Sequence, residues 1–403
     1  MRIKNKVSIR VLAFLMVFTM LCGSVGINSE GITVNVVFAD SSSSAGEESD
    51  SIYNIDADVD NIIKGIRNIS HAHAPSYYTN DWVLGMAAAG LSLTSDEKEK
   101  YLANVQDIAV DSGTSVSVKA KTAIALTALN IDARQIANKN GGQAIDLIND
   151  VAFFDGFIDP VYTAPLILSL YDLHNYEIPN NALVIREKLI EIILEAQEPD
   201  GSWYGAYGSD STGMVLPALA AYYNKTEETN GISPASCSAI TAAVNNALDY
   251  LSNSQEIDGG FPGFGGMQNS NTMSTVIVGL NALGLNPHKD VRFIKNEKSA
   301  MQSLLSYRTS DDRLGYANNI APDDFACQQG LGALATYQNL NNSRSSNLYG
   351  FTKEIAPYTN WPNADLLTSI RITPPTQTVY SYDADKTNDT VNTEGMSVTA
   401  VYN

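Results

Sequence analysis

The chain has 403 residues and a formal net charge of −19, with 25 Lys and Arg against 44 Asp and Glu. That acidity excludes nucleic acid and anionic membrane surfaces as partners, because both would repel it. Hydrophobic residues make up 44% of the chain, enough for a sizeable core, and the length fits one large repeat domain with additions or two to three smaller domains.

The opening "MRIKNKVSIR" carries Arg2, Lys4, Lys6 and Arg10, and the apolar run "VLAFLMVFTMLCG" follows, too short to span a bilayer comfortably. In "VVFAD", Val37 and Ala39 occupy the small-residue positions before a cut after Ala39. Residues 1–39 therefore have the layout of a secretory signal peptide, and the expected location is extracellular, at the cell surface. Cys22 fits lipid attachment poorly, because bulky Leu21 precedes it. Residues 40–56, including "SSSSAGEESDS", are polar and read as a flexible linker. No later stretch is long and apolar enough for a membrane anchor.

Residues 57–340 repeat. Six apolar runs rich in Ala, Gly or Ser recur: "WVLGMAAAGLSL", "VKAKTAIALTALNI", "YTAPLILSLYDL", "TGMVLPALAAYY", "MSTVIVGLNALGL" and "ACQQGLGALATY". Each has apolar residues at helical spacing, and its small side chains allow helix axes to approach closely. Six amphipathic helices are predicted between them, at about 57–69, 95–109, 141–151, 183–197, 237–253 and 295–306. The period is irregular, roughly 35 to 60 residues, within the range of solenoids and closed arrays. Stacked hairpins in an open array leave two apolar ends, and closing the array removes both. The predicted fold is all-α: an α6/α6 toroid with the small-residue helices inside and the amphipathic helices outside.

One motif recurs inside this array. Gln197-x-x-x-Gly201-x-Trp203 returns as Gln255-x-x-x-Gly259-x-Phe261, with a degenerate copy in "YRTSDDRLGY" and a fainter one in "DVAFFDGFID". The glycine can take the left-handed turn that ends a helix, the Gln amide can meet backbone groups left over at that end, and the aromatic packs back over the hairpin. The expected role is structural, stapling an outer helix to the next inner one. Cys237 and Cys327 are expected as buried thiols on apolar helix faces, although an oxidising exterior would also allow them to pair.

After a linker at 341–365, helical periodicity stops. "SIRITPP" and "GMSVTAVYN" alternate apolar and polar residues, so 366–403 reads as the start of a β domain that the chain leaves incomplete.

The motifs "QEPDGSW" and "QEIDGGF" resemble the QW-type repeats of squalene and oxidosqualene cyclases and the related repeats of protein prenyltransferase β subunits. Transcobalamin-type carriers resemble the same ring, and the tail resembles the opening of a bacterial Ig-like surface domain. The resemblance implies a fold and not an activity. The Asp-x-Asp-Asp acid of class II cyclases is missing, "DDRLG" and "DDFAC" both fail the Asp-Asp-x-x-Asp pattern that holds magnesium diphosphate, and the zinc set of prenyltransferases lacks a His after Cys327. "HAH", His71 to His73, offers two imidazoles without a third ligand. No metal and no cofactor is expected.

Candidate site residues lie where the inner helices begin, because a ring gathers those ends at one mouth. Asp81, Asp159, Asp210, Asn271 and Asp324 are each placed to cap a helix or to face a ligand. Tyr78, Trp82, Tyr162 and Phe264 add aromatic surface, and Met214 and Gln328 lie a turn further in. The expected protein is a monomeric, secreted or surface-associated module that binds a hydrophobic or polycyclic small molecule, such as an isoprenoid or corrinoid, or a cell-wall glycan, or that serves adhesion. The alternative is a terpene-cyclase-like or prenyltransferase-like enzyme using a non-standard acid at the mouth.

Overall fold

The computed structural model describes residues 26–28, 31–33, 55–68, 79–173, 176–204, 207–351, 353–362, 367–373 and 397–402. The signal-peptide reading, the 40–56 linker, the "HAH" pair and Tyr78 lie, wholly or almost wholly, outside these residues. In the N-terminal unit, residues 1–53, β1 (Gly26–Asn28) pairs antiparallel with β2 (Gly31–Thr33).

The second unit, residues 54–403, holds twelve α-helices among its described residues. They are α1 (Ile55–Arg67), α2 (Thr79–Ala88), α3 (Ser95–Val110), α4 (Val116–Ala128), α5 (Leu147–Ala152) and α6 (Ala164–Asp172), then α7 (Arg186–Glu195), α8 (Gly208–Leu219), α9 (Pro234–Ser254), α10 (Ser270–Ala282), α11 (Ala300–Leu305) and α12 (Asp324–Asn341). The even-numbered helices are those of the six small-residue runs, and they are buried almost all round. Each packs on the next, α2 on α4, α4 on α6 and so on, and α12 packs back on α2. The ring is closed: the fold is an α/α toroid. The odd-numbered helices lie outside, each burying one stripe, as α9 does with Cys237, Ile240, Val244, Leu248 and Leu251.

Close helix approach explains the composition of the inner runs. A Cβ on Gly213 of α8 would lie 2.6 Å from the Thr275 carbonyl carbon of α10, and one on Gly279 of α10 would lie 2.9 Å from the Gly213 oxygen. Any side chain at either position would push the two helices apart. Cys237 and Cys327 are buried, free thiols.

Two outer helices are shorter than their periodicity suggests. Gly141 and Gly142 both have positive φ, and Asp146 caps α5 by accepting from Ile148 N and Asn149 N, so the helix starts at 147 and not at 141. Asn296 and Glu297 take a left-handed turn between β3 (Ile294–Lys295) and β4 (Lys298–Ser299), and the Ser299–Gln302 capping box starts α11 at 300.

The repeated motif is a staple, although it runs in a different direction from that expected. Gln197 Nε2 donates to Gly201 O at 2.9 Å and to Ala243 O of α9 at 2.8 Å. Gln255 Nε2 donates to Gly259 O and to Phe293 O, both at 2.9 Å. Each amide therefore ties the end of one outer helix to the next outer segment. Trp203 and Phe261 are fully buried beneath, and Trp203 Nε1 donates to Ile193 O at 2.8 Å. Gly201 and Gly259 carry φ of 92° and 84° with backbone oxygens of the next outer segment pressed against them, so only glycine fits.

The degenerate copy closes the ring. Arg308 stands at the Gln position, Asp312, with φ 61°, at the glycine position, and Leu314, fully buried, at the aromatic position. Arg308 pairs with Asp312 and with Asp58 of α1, so the last staple reaches the first outer helix. The glycine has moved to that partner: a Cβ on Gly65 of α1 would lie 2.1 Å from Asp312 O. The faint copy around Gly156 forms no staple, and Phe157 is 80% exposed.

Beyond α12, the segment read as a linker crosses the C-terminal ends of the inner helices. Asn347 Nδ2 donates to Pro217 O at 2.8 Å, Ser346 Oγ to Asn281 O at 2.6 Å, and Lys353 Nζ to Ala128 O at 2.9 Å. These carbonyls end α8, α10 and α4, where an α-helix leaves acceptors over. Leu348 is buried against Gly332 of α12, and Trp361 is buried further along. The strap closes one end of the ring and makes a cup. Further on, β5 (Leu367–Thr373) pairs antiparallel with β6 (Ser397–Tyr402), the β segment expected there.

Candidate functional site

The open end of the cup holds a cavity of about 430 Å³. Its walls come from the first turns of the inner helices and the loops that lead into them: Ser117 on α4, Tyr162 before α6, Tyr207, Asp210 and Met214 at α8, Asn269, Asn271 and Thr272 at α10, and Phe325 and Gln329 on α12. Phe264 and Tyr316 complete the rim.

Local sequence explains each placement. Asn269 caps α10, its Oδ1 accepting from Thr272 N at 2.9 Å. Ser270 Oγ donates to Gly315 O at 2.7 Å, which holds the Tyr316 loop against the mouth. Asp159 accepts from Val161 N and Tyr162 N through Oδ1, and from the Tyr204 hydroxyl at 2.6 Å through Oδ2. Tyr204 lies 6.1 Å from Tyr162, centroid to centroid, so Asp159 positions an aromatic pair at the rim. Tyr207 and Phe264 stack at 4.8 Å, and both are partly exposed.

Among the described residues, Asp210 is the single carboxyl lining this cavity. Its Oδ1 accepts from Thr275 Oγ1 at 2.8 Å. Burial raises its pKa above the ordinary 3.8, because few groups compensate the charge, and the Thr275 hydrogen bond only partly opposes this. Burial, and then the nearby Asp210, push the Tyr162 hydroxyl up to about 12. Asn271 is 6% exposed, and its Nδ2 has no partner.

A second, smaller pocket of about 30 Å³ lies deeper, and Met214 and Gln329 wall both. Its lining includes Asp81 of α2, Lys121 of α4, Thr275, Gln328 and, from the strap, Leu348 and Tyr349. Lys121 Nζ and Asp81 Oδ1 form an ion pair at 2.6 Å with both side chains buried. Burial raises Asp81 and lowers Lys121, and their mutual attraction opposes both shifts.

The candidates thus fall into groups. Tyr162, Asp210, Met214, Phe264 and Asn271 meet at the mouth cavity, while Asp81, Gln328 and again Met214 meet at the floor. Trp82 is 1% exposed, within the core. Asp159 acts on the tyrosines. Asp324, the first residue of α12, is exposed; the helix is capped by its neighbour Asp323, which accepts from Ala326 N at 2.8 Å. Phe325, Gln329 and Lys121 escaped notice. Phe325 and Gln329 are four apart on an inner helix, as Asp210 and Met214 are, and Lys121 stands out as a charge inside "AKTAIALTAL".

No known protein family matches the sequence. Among solved structures, the chain is similar to an ent-copalyl diphosphate synthase from Streptomyces platensis, at 19% identity over 65% of this chain and 50% of that one, with a TM-score of 0.42. It is also similar to a protein from Actinoplanes, at 12% identity over 72% and 100% of the two chains, with a TM-score of 0.40. The type II terpene cyclase MstE from Scytonema follows at 11% identity over 71% and 99%, with a TM-score of 0.37. The chain spans half the length of the Streptomyces synthase. The toroid rests on the packing of this chain's own helices.

Proposed function

We propose that the mouth cavity is the ligand site of a binding module, and that its ligand is a neutral ring compound with an apolar face, a sugar unit or a small polycycle. The observation that carries this reading is the composition of the cavity wall: Tyr162, Tyr207, Phe264, Tyr316 and Phe325 surround one half-buried carboxyl and one unpartnered amide donor. Aromatic faces give stacking area, and a few polar groups fix orientation. The volume of about 430 Å³ lies within the roughly 300–1,000 Å³ of small-molecule pockets and suits a sugar or small polycycle better than a corrinoid macrocycle. The Asp210 carboxyl, shifted upward by burial, can accept a hydrogen bond from a ligand hydroxyl. The leader-like residues 1–39 and the β tail support a place outside the cell or at its surface, where cell-wall glycans are abundant and isoprenoid diphosphates are not.

The test is a thermal-shift screen of the full chain against cell-wall glycan fragments, polyisoprenoid alcohols and corrinoids, followed by calorimetry. The reading expects a hit from the glycan fragments that is lost in Asp210→Ala and Tyr207→Ala and kept in Asp324→Ala; a hit from the acyclic polyisoprenoid alcohols alone would contradict the ring-compound reading. A hit unaffected by both mouth substitutions would place the ligand elsewhere. Turnover of the bound compound would replace the binding module with an enzyme.

A further inference from the structure

Three acceptor oxygens on residues that wall the floor pocket have no hydrogen-bond partner: Asp81 Oδ2, Gln328 Oε1 and Gln329 Oε1. Asp81 and Gln328 are 5% and 6% exposed. Buried acceptors left dry are costly, so a set of three on one small pocket points to something that donates to them. The pocket's volume of about 30 Å³ has room for about two waters or for the end of a ligand. A hydroxyl reproduces the hydrogen bonds of such a water and can displace it without loss.

Two features narrow the choice. Lys121 lines the same pocket, and its ion pair with Asp81 leaves the two together neutral, so an incoming ammonium would meet a cation with no surplus charge to offset it. The floor adjoins the mouth: Met214 and Gln329 wall both spaces, and Thr275, on the floor, donates to Asp210 at the mouth.

We infer that the floor pocket is a specificity subsite for a neutral hydroxyl-bearing head, inserted past Met214 while the ring of the same ligand stays among the mouth aromatics. This rests on the ligand-site reading of the mouth. It adds a requirement: the ligand ends in an alcohol and not in an ammonium or an alkyl group.

The test uses the full chain and three indoles that share one ring and differ in the end of the side chain: tryptophol, 3-propylindole and tryptamine, with their longer-chain homologues, measured by calorimetry. Transfer from water alone favours the propyl compound, so a preference for the alcohol is diagnostic. The expectation is that the best-fitting alcohol binds at least about tenfold tighter than its alkyl and ammonium counterparts. Gln328→Met, which removes an acceptor at similar volume, is expected to reduce that preference with little change in alkyl binding. If Gln328→Met does not fold, Met214→Phe, which narrows the passage, is expected to do the same. Equal binding of alcohol and alkyl compounds would leave the mouth site standing and overturn the subsite, with only waters at the floor. Tightest binding by the ammonium would overturn the neutral head. No binding by any indole would overturn the subsite together with the reading of the mouth as a site for flat rings.

Discussion

Replacing Gln255 by Met tests the staple at its most buried copy. Gln255 is 7% exposed; its Nε2 donates to Gly259 O and Phe293 O, and its Oε1 has no partner. Methionine keeps the volume and removes the two donations together with the unpaired Oε1, whose loss offsets part of the cost. Each lost bond costs about 1 kcal/mol net, and two carbonyls left dry raise the sum to about 2–4 kcal/mol. For a domain of this size that is a fall in Tm of about 3–6 °C, measurable by circular dichroism or calorimetry. Gln197, half-buried with the same pair of bonds, is expected to lose less in Gln197→Met, because water can reach its abandoned carbonyls. A loss below about 0.5 kcal/mol for Gln255→Met, the level of an ordinary surface change, would refute the claim that this amide holds successive outer segments together.

Other outcomes follow from the same geometry. Gly65→Ala, normally stabilising by up to about 1 kcal/mol inside a helix, is expected to destabilise instead, because its Cβ would meet Asp312 O at 2.1 Å; urea unfolding reads the sign. Asp210→Asn is expected to raise Tm at pH 7. Burial raises Asp210 above 3.8, so the stability it contributes is fully present below 3.8 and is lost as pH rises through the higher folded value. The gain from the neutral amide should therefore shrink as pH falls and vanish below 3.8; a gain independent of pH would contradict the assigned cause. Leu348→Ala is expected to cost about 2–4 kcal/mol, as for other buried leucines, because the strap loses its contact with α12.

Much of the toroid was legible because its constraints are local and repeated. Small residues at helical spacing mark the inner helices, which must approach closely, and the recurrence of Gln, Gly and an aromatic marks the outer turns. Two things were hidden. The direction of the staple depends on which carbonyl lies beside Nε2, and Ala243 and Phe293 are forty or so positions from their partners. The ring closure was harder still: Arg308 and Asp312 replace Gln and Gly, and the compensating glycine is at position 65, near the other end of the toroid sequence.

The mouth was partly legible for the same reason. A closed ring gathers inner-helix starts, so Asp210, Asn271 and Tyr162 were placed together by topology alone. The strap was not, because its bonds are single side chains reaching helix-end carbonyls and carry no periodicity. The floor is legible only in part: Asp81 stands at an inner-helix start, placed to cap the helix or to face a ligand, and nothing in its spacing points to its ionic partner Lys121 on another helix.

Closure of the ring underlies both the cup and its site. Asp60 of α1 and Gln338 of α12 are 278 positions apart in sequence, both near the surface, and Gln338 Nε2 donates to Asp60 Oδ1. In a chain carrying Asp60→Cys and Gln338→Cys, a short bis-maleimide is expected to form an intramolecular bridge, seen as one cross-linked peptide pair at dilute protein concentration. Bridges found only between separate molecules would show an open superhelix and contradict the closed toroid.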